Sequence, residues 1–254
     1  MLILLPPSEG KTAASRRRRP IDLASLSFPE LTAARRCLGD ALAAASAEAD
    51  AVAALGVGAS LEHEVRSNTD IWELPAAPAG EIYSGVLYDA LDIASLDPAA
   101  RRRAARGLLV VSALWGAVRM TDRIPAYRLS MSVSLPGVGP LAAYWRPHLT
   151  QALADVARRG VIVDCRSAPY QQAWPSPAPE RTVQVRILSK DSRTAVSHMA
   201  KYTRGLVARH LVSRDGTTPR TPERLAAAVA EAFEVGLTPP TSARGTWTLD
   251  VVQP

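Results

Sequence analysis

The chain opens on four apolar residues, Leu2–Leu5, and then meets Pro6-Pro7, which predicts a short buried strand that gives way to a loop. Residues 107–114 (GLLVVSAL) and 161–164 (VIVD) show the same unbroken apolar character and predict two further core strands. Residues 127–135 (YRLSMSVSL) and 181–188 alternate instead, predicting strands with one wet face, and Trp247–Val252 predicts a last strand. Helical spacing begins at Ser27-Phe-Pro-Glu30, which reads as a capping box with proline in the first turn, and continues through alanine-rich sequence to about Leu55. Further helices are predicted over 60–67, after Asp97-Pro98, over 141–159, over 196–212, and from Thr221-Pro222-Glu223 to Phe233. Residues 74–80 (LPAAPAG) read as a loop. Strands and helices alternate throughout with no long linker and no repeat. The expectation is one mixed α/β (α+β) domain over residues 1–254, a mixed central sheet with helices around it.

Composition narrows the class. Of the 254 residues, 47% are hydrophobic and 21% charged, a globular balance that excludes a disordered chain. The longest apolar run, residues 107–118, holds a serine and falls short of the ~20 residues that a membrane helix needs. The first residues carry no basic segment before the prolines, so a strand is expected there rather than a signal peptide. Cys37 and Cys165 lie far apart without metal-ligand spacing, so a reduced cytoplasmic protein with no structural metal and no cofactor is expected.

Charge adds a direction. Thirty Lys and Arg stand against 24 Asp and Glu, a net charge of +6 that fits a polyanion binder. Only Lys11, Lys190 and Lys201 are lysines, however, and 27 arginines beside abundant alanine equally fit a GC-rich genome. In such a chain a retained lysine marks a place where a compact ammonium is wanted. The run Arg16 to Arg19 reads first as a solvated loop and second as a phosphate contact.

Five segments carry candidate chemistry. Pro6-Pro7-Ser8-Glu9-Gly10-Lys11-Thr12 follows the first strand and ends like a phosphate-cradling Walker loop, but Leu5 stands where that loop needs its first glycine. Asp164 could imitate the acidic partner of such a loop, although a strand-end carboxylate more often caps a turn. Lys11 remains a candidate anion contact at the carboxyl end of a strand. Leu135-Pro-Gly-Val-Gly-Pro140 spells a helix-hairpin-helix consensus but follows a strand pattern, whereas Leu55-Gly56-Val57-Gly58 sits between two helical patterns. Within 112–131, Arg119, Asp122, Arg123 and Arg128 crowd around Tyr127 beside core strands, as either a salt-bridged turn or an anion site. Last, His198, Lys201 and Arg204 share one helix face, and Gly205 inside that helix calls for close packing or close ligand approach.

The same stretches together resemble the YaaA family of bacterial peroxide-stress proteins. The resemblance rests on the first strand and lysine loop, Tyr83-x-Gly85, and the block running from Ser112 through Arg119, Asp122 and Tyr127-Arg128-Leu129 to Met131. Tyr144-Trp145, Asp164-Cys-Arg-Ser167-x-x-Tyr170 and Ala200-Lys201-x-x-Arg204-Gly205 follow in the family's order, so the likeness covers roughly residues 1–212. Many members have Asn in place of Asp164, an acidic residue in place of Pro169, and a shorter first loop. The resemblance implies a cytoplasmic, DNA-binding protein that limits iron-dependent oxidative damage under peroxide. It implies a positively charged cleft of Lys11, Arg119, Asp122, Tyr127, Arg128, Lys201 and Arg204, with a hairpin element at Gly56 and Gly58. Duplex DNA with little sequence preference is the expected partner of a monomer that engages no membrane. The alternative is an enzyme acting on a nucleotide-like small molecule in the same pocket, with Lys11, Asp122 and Lys201 as its candidate catalytic groups. Direct iron binding has no ligand cluster behind it.

Overall fold

Seven strands form the central sheet in this computed structural model, which describes residues 1–190 and 198–253. They are β1 (Leu2–Leu5), β2 (Leu108–Ser112), β3 (Gly116–Val118), β4 (Ile162–Asp164), β5 (Thr182–Leu188), β6 (Val235–Thr238) and β7 (Trp247–Val252). Their order is β6-β7-β5-β4-β1-β2-β3. The five inner strands run parallel, and β3 and β6 close the edges antiparallel. Strands covered on both faces by helices must be apolar on both faces, which is why LILL and LLVVS are continuous runs with every residue buried. In β5 the alternation is real: Gln184 and Arg186 point outward, and Arg186 pairs across the register with Asp250 of β7.

Ten α-helices surround the sheet among the described residues: α1 (Thr32–Ala47), α2 (Ala51–Ala54), α3 (Glu62–Ser67), α4 (Ala79–Ile82), α5 (Val86–Leu91), α6 (Pro98–Gly107), α7 (Leu141–Ala152), α8 (Ala168–Ala173), α9 (His198–Ser213) and α10 (Pro222–Ala230). The architecture is therefore a single mixed α/β domain, as the alternation of patterns predicts. Caps appear where side-chain chemistry places them. Asp97 accepts hydrogen bonds from the Ala99 and Ala100 amides, and the Thr221 hydroxyl accepts one from Arg224. Val196, from which the ninth helix is predicted, and the His198 side chain lie outside the described residues.

Several expectations need correcting. The capping box at Ser27 does not form. Ser27 turns its amide (3.1 Å) and hydroxyl (2.8 Å) to the Asp122 carboxylate, Phe28 adopts a left-handed conformation (φ 62°), and α1 begins only at Thr32. A tertiary acceptor has displaced the local one. Residues 127–135 alternate strictly between buried and wet positions, yet only Ser134–Leu135 enters a ladder, a two-residue pairing with Gly139–Pro140. Alternation reports which way side chains face, not whether the backbone finds a partner. The LPGVGP segment is the turn of that small hairpin, with Gly137 and Gly139 at positive φ, and it leads directly into α7. Strands β3 and β6 and helices α4, α5 and α8 were not predicted.

Gly205 has the close-packing explanation. A Cβ at this position would lie 2.2 Å from the Leu87 carbonyl oxygen and 2.8 Å from Ala90 Cβ, so α9 meets α5 backbone to backbone. This contact fixes where α5 stands, and α5 forms one wall of the cleft described next.

Candidate functional site

In an open parallel sheet, the crevice beyond the carboxyl ends of the strands is the usual ligand site, at the point where the chain reverses its direction of crossing. Here that point lies at β1, which is flanked by β2 on one side and β4 on the other. The loops leaving β1 and β4 line a cleft of about 770 Å³. Residues 6–10 follow β1, and Ser167, Pro169 and Tyr170 follow β4. The 54–57 turn after α2, the 84–88 segment that starts α5, and residues 128–134 complete the wall, with Lys201 and Arg204 entering from α9.

The candidate side chains have identifiable neighbours. Arg128 donates to the Glu9 carbonyl at 3.0 Å and lies 3.5 Å from the Glu64 carboxylate, while its own amide is fixed by Asn68. Lys201 is well exposed (58%) and stands 3.9 Å from Glu9, a loose pair of the kind worth little in water. Arg204 reaches the Val185 carbonyl at 3.4 Å, and its buried Nε has no hydrogen-bond partner. Ser130, Ser132 and Ser134 line the cleft from the wet side of 127–135, so the alternation marks the face that meets the cleft.

Lys11 sits at the edge of this wall, under the loop that precedes it. Its ammonium donates to the carbonyls of Ser8 (2.8 Å) and Glu9 (3.3 Å) and lies 4.2 Å from the centroid of the Tyr127 ring. Burial, and after it the Arg128 guanidinium, push its pKa down from 10.5 to about 7, against the opposing pull of Glu64 and Glu9. The Tyr127 hydroxyl bonds to Ser112 at 2.7 Å and to the Tyr83 hydroxyl at 3.2 Å. Burial raises the pKa of both phenols, so they stay protonated at neutral pH.

Lys11 makes a testable contribution to stability. The unfolded chain holds this proton up to the ordinary lysine range, whereas the native state releases it from about pH 7. The native state then binds fewer protons, and stability rises with pH between about 7 and 9. In Lys11→Met that rise is flattened. Urea midpoints of both proteins at pH 7, 8 and 9 check this, and parallel pH trends would contradict it.

The structure separates the sequence candidates into two groups. Arg128, Lys201, Arg204 and Gly56 line the cleft, with Lys11 and Tyr127 adjoining it, and Gly58 lies two residues beyond Gly56 in an exposed turn. Arg119 and Asp122 are elsewhere. The Arg119 guanidinium donates to the Ala105 and Arg106 carbonyls, just before the amino end of β2 and therefore at the opposite end of the sheet. The Asp122 carboxylate is filled by the Ser27 amide and hydroxyl and by the Arg119 amide at 2.8 Å. Asp164 is likewise internal, locked to Arg166 by two 2.8 Å bonds. Ser84 and the Glu9 carbonyl had no local signal, since each gains its place through a tertiary contact.

Comparisons with known proteins bear on the family rather than on the individual site residues. A family model described as "Peroxide stress protein YaaA" matches residues 1–236. A UPF0246 protein of Streptomyces coelicolor is 50% identical over 258 aligned residues, covering 99% of this chain and 98% of that protein. UPF0246 proteins of Corynebacterium efficiens and Corynebacterium glutamicum are 43% and 42% identical, covering 86% and 83% of this chain and 88% and 84% of theirs.

Proposed function

Because the chain belongs to the YaaA family of peroxide stress proteins, which includes the UPF0246 relatives, we propose that it binds duplex DNA through the backbone phosphates that meet this cleft, limiting iron-dependent oxidative damage. One observation carries the reading. Arg128 meets Lys201 and Arg204 of α9 at one cleft from a distant part of the chain, and Glu9 is the single acidic residue among the described lining. Nothing in β-sheet packing requires such a convergence. The exposed Gly56 turn between α2 and α3 stands on the same rim, but its Gly56 and Val57 amides already donate to the Ala53 and Val52 carbonyls, so the phosphate contacts fall to the side-chain cations. Contacts of this kind make affinity steeply salt-dependent and nearly independent of sequence.

Fluorescence anisotropy of a labelled ~20-base-pair duplex across a salt series tests it. Lys201→Ala is expected to weaken binding several-fold and to reduce the log–log salt slope by about 1. Arg16, Arg17 and Arg19 are exposed and Arg18 pairs with Glu81 at 2.8 Å, so neutralising the run lowers the slope further if the duplex extends beyond the cleft. Weak binding that is indifferent to Lys201→Ala sinks the proposal.

A second reading, an enzyme acting on a nucleotide-like small molecule, is favoured by the depth of the cleft. Buried Leu55, Tyr88 and Leu129 form part of its lining, out of reach of a duplex lying across the rim. A cavity of this size suits a single nucleotide-sized ligand.

A further inference from the structure

The chain holds only three lysines, and one of them stands apart from the other two in its surroundings. Lys190 and Lys201 are exposed. Lys11 has its amine enclosed between the Tyr127 ring face (4.2 Å), the more distant Tyr83 ring (5.8 Å) and the Ser8 and Glu9 carbonyls. The Glu9 carbonyl oxygen is shared: Lys11 Nζ approaches it at 3.3 Å and Arg128 at 3.0 Å. Since Arg128 lines the cleft, the Lys11 amine stands one side chain away from the cleft wall. The cover over it is thin, a loop in which Glu9 and Gly10 are exposed. A lysine held off water beside an aromatic face, with a second cation at hand, is in the environment that turns an ammonium into an amine nucleophile.

We propose that Lys11 is an imine-forming amine serving this cleft, and that its substrates are small phosphorylated aldehydes or ketones. The inference rests on the small-molecule reading above and names the substrate class. The Nζ lone pair adds to the carbonyl carbon, and proton transfer from nitrogen to oxygen gives a carbinolamine. The hydroxyl then takes up a proton from solvent and leaves as water while the C=N bond forms. Loss of the remaining nitrogen proton leaves a neutral imine, so one amine and one carbonyl give one imine and one water. Arg128 and Arg204, which line the cleft, supply guanidinium donors for the phosphate. The low proton affinity of Lys11 supports the assignment. At pH 7 a solvated lysine is neutral in only about 1 molecule in 2,500, whereas Lys11 is near its midpoint.

The probes are pyridoxal 5′-phosphate, pyridoxal, and pyridoxine 5′-phosphate, which keeps the ring and phosphate but has no aldehyde. The full-length protein is mixed with an aldehyde probe at pH 7 and treated with borohydride, whose hydride reduces the C=N bond to a stable secondary amine. Peptide mass mapping then locates the adduct. The Met1 amine must be resolved in the map, because burial also lowers its pKa. The expected result is Lys11 labelled at least about tenfold faster than Lys190 or Lys201, and at least about tenfold faster by pyridoxal phosphate than by pyridoxal. Lys11→Arg abolishes that adduct, and excess pyridoxine phosphate suppresses it. Labelling confined to Met1, Lys190 or Lys201 overturns the proposal, and equal labelling by the two aldehydes removes phosphate from the substrate class. Calorimetry with pyridoxine phosphate separates the two readings. Binding without a Lys11 adduct leaves a small-molecule pocket and disproves the imine, whereas neither binding nor adduct ends both.

Discussion

Replacement of Asp164 by alanine is expected to lower stability by about 3–5 kcal/mol. The residue ends β4 in the middle of the sheet, and it and Arg166 are 3% and 2% exposed. The guanidinium meets the carboxylate side-on through two 2.8 Å bonds, and the Arg166 amide adds a third bond to the same carboxylate at 3.0 Å. Removing the carboxylate leaves a buried cation that can neither reach water nor neutralise itself, which is the costly half of breaking an internal ion pair. Asp164→Asn keeps one acceptor oxygen and the shape, so its loss is expected to be smaller. The effect extends to the cleft, because Arg166 also donates to the Tyr170 carbonyl at 3.0 Å and so holds the 167–170 wall. Urea unfolding monitored by tryptophan fluorescence reads the change. A loss below about 1 kcal/mol for the alanine variant would mean that water reaches Arg166, contrary to its burial.

Gly205→Val is expected to cost at least about 3 kcal/mol, with Gly205→Ala intermediate. The obstacle is backbone, not a rotatable side chain: the Leu87 carbonyl oxygen lies 2.2 Å from where the first side-chain carbon would be placed. Helices α5 and α9 must separate, and both carry cleft residues, Val86 and Leu87 on one and Lys201 and Arg204 on the other. Stability and binding are therefore expected to fall together in this variant, whereas Lys201→Ala lowers binding alone. Thermal unfolding and duplex anisotropy on the two proteins separate these patterns. A Gly205→Ala variant as stable as wild type would contradict the close helix contact, since alanine otherwise favours a helix interior by about 1 kcal/mol.

The gap between sequence and structure has a consistent origin. Core strands β1, β2 and β4 are legible because full burial on both faces leaves an apolar run that local reading detects directly. Edge strand β3 is three residues long and starts at Gly116, where φ is +69° and a Cβ would lie 2.6 Å from the Trp145 ring, so locally it reads only as a turn. Arg119 and Arg128 illustrate the limit for the site. Nine residues apart in one charged cluster, they reach opposite ends of the sheet. The intervening chain passes through the Asp122 turn and a two-residue pairing of Arg123–Ile124 with Ala77–Pro78 before returning to the cleft, and no spacing rule encodes that path.

What the sequence determined by itself was the mixed α/β class, the buried strands, the caps at Asp97 and Thr221, and the presence of a lysine worth keeping at position 11. These follow from burial, capping and charge, which act over a few residues. Only the tertiary structure decided which cations meet. It gathered Arg128, Lys201 and Arg204 at the carboxyl ends of the strands, withdrew Arg119, Asp122 and Asp164 into structural bonds, and desolvated Lys11 against Tyr127. The physical reason is that a charge takes its role from the dielectric and the partners around it, and both are supplied by segments far away in the chain.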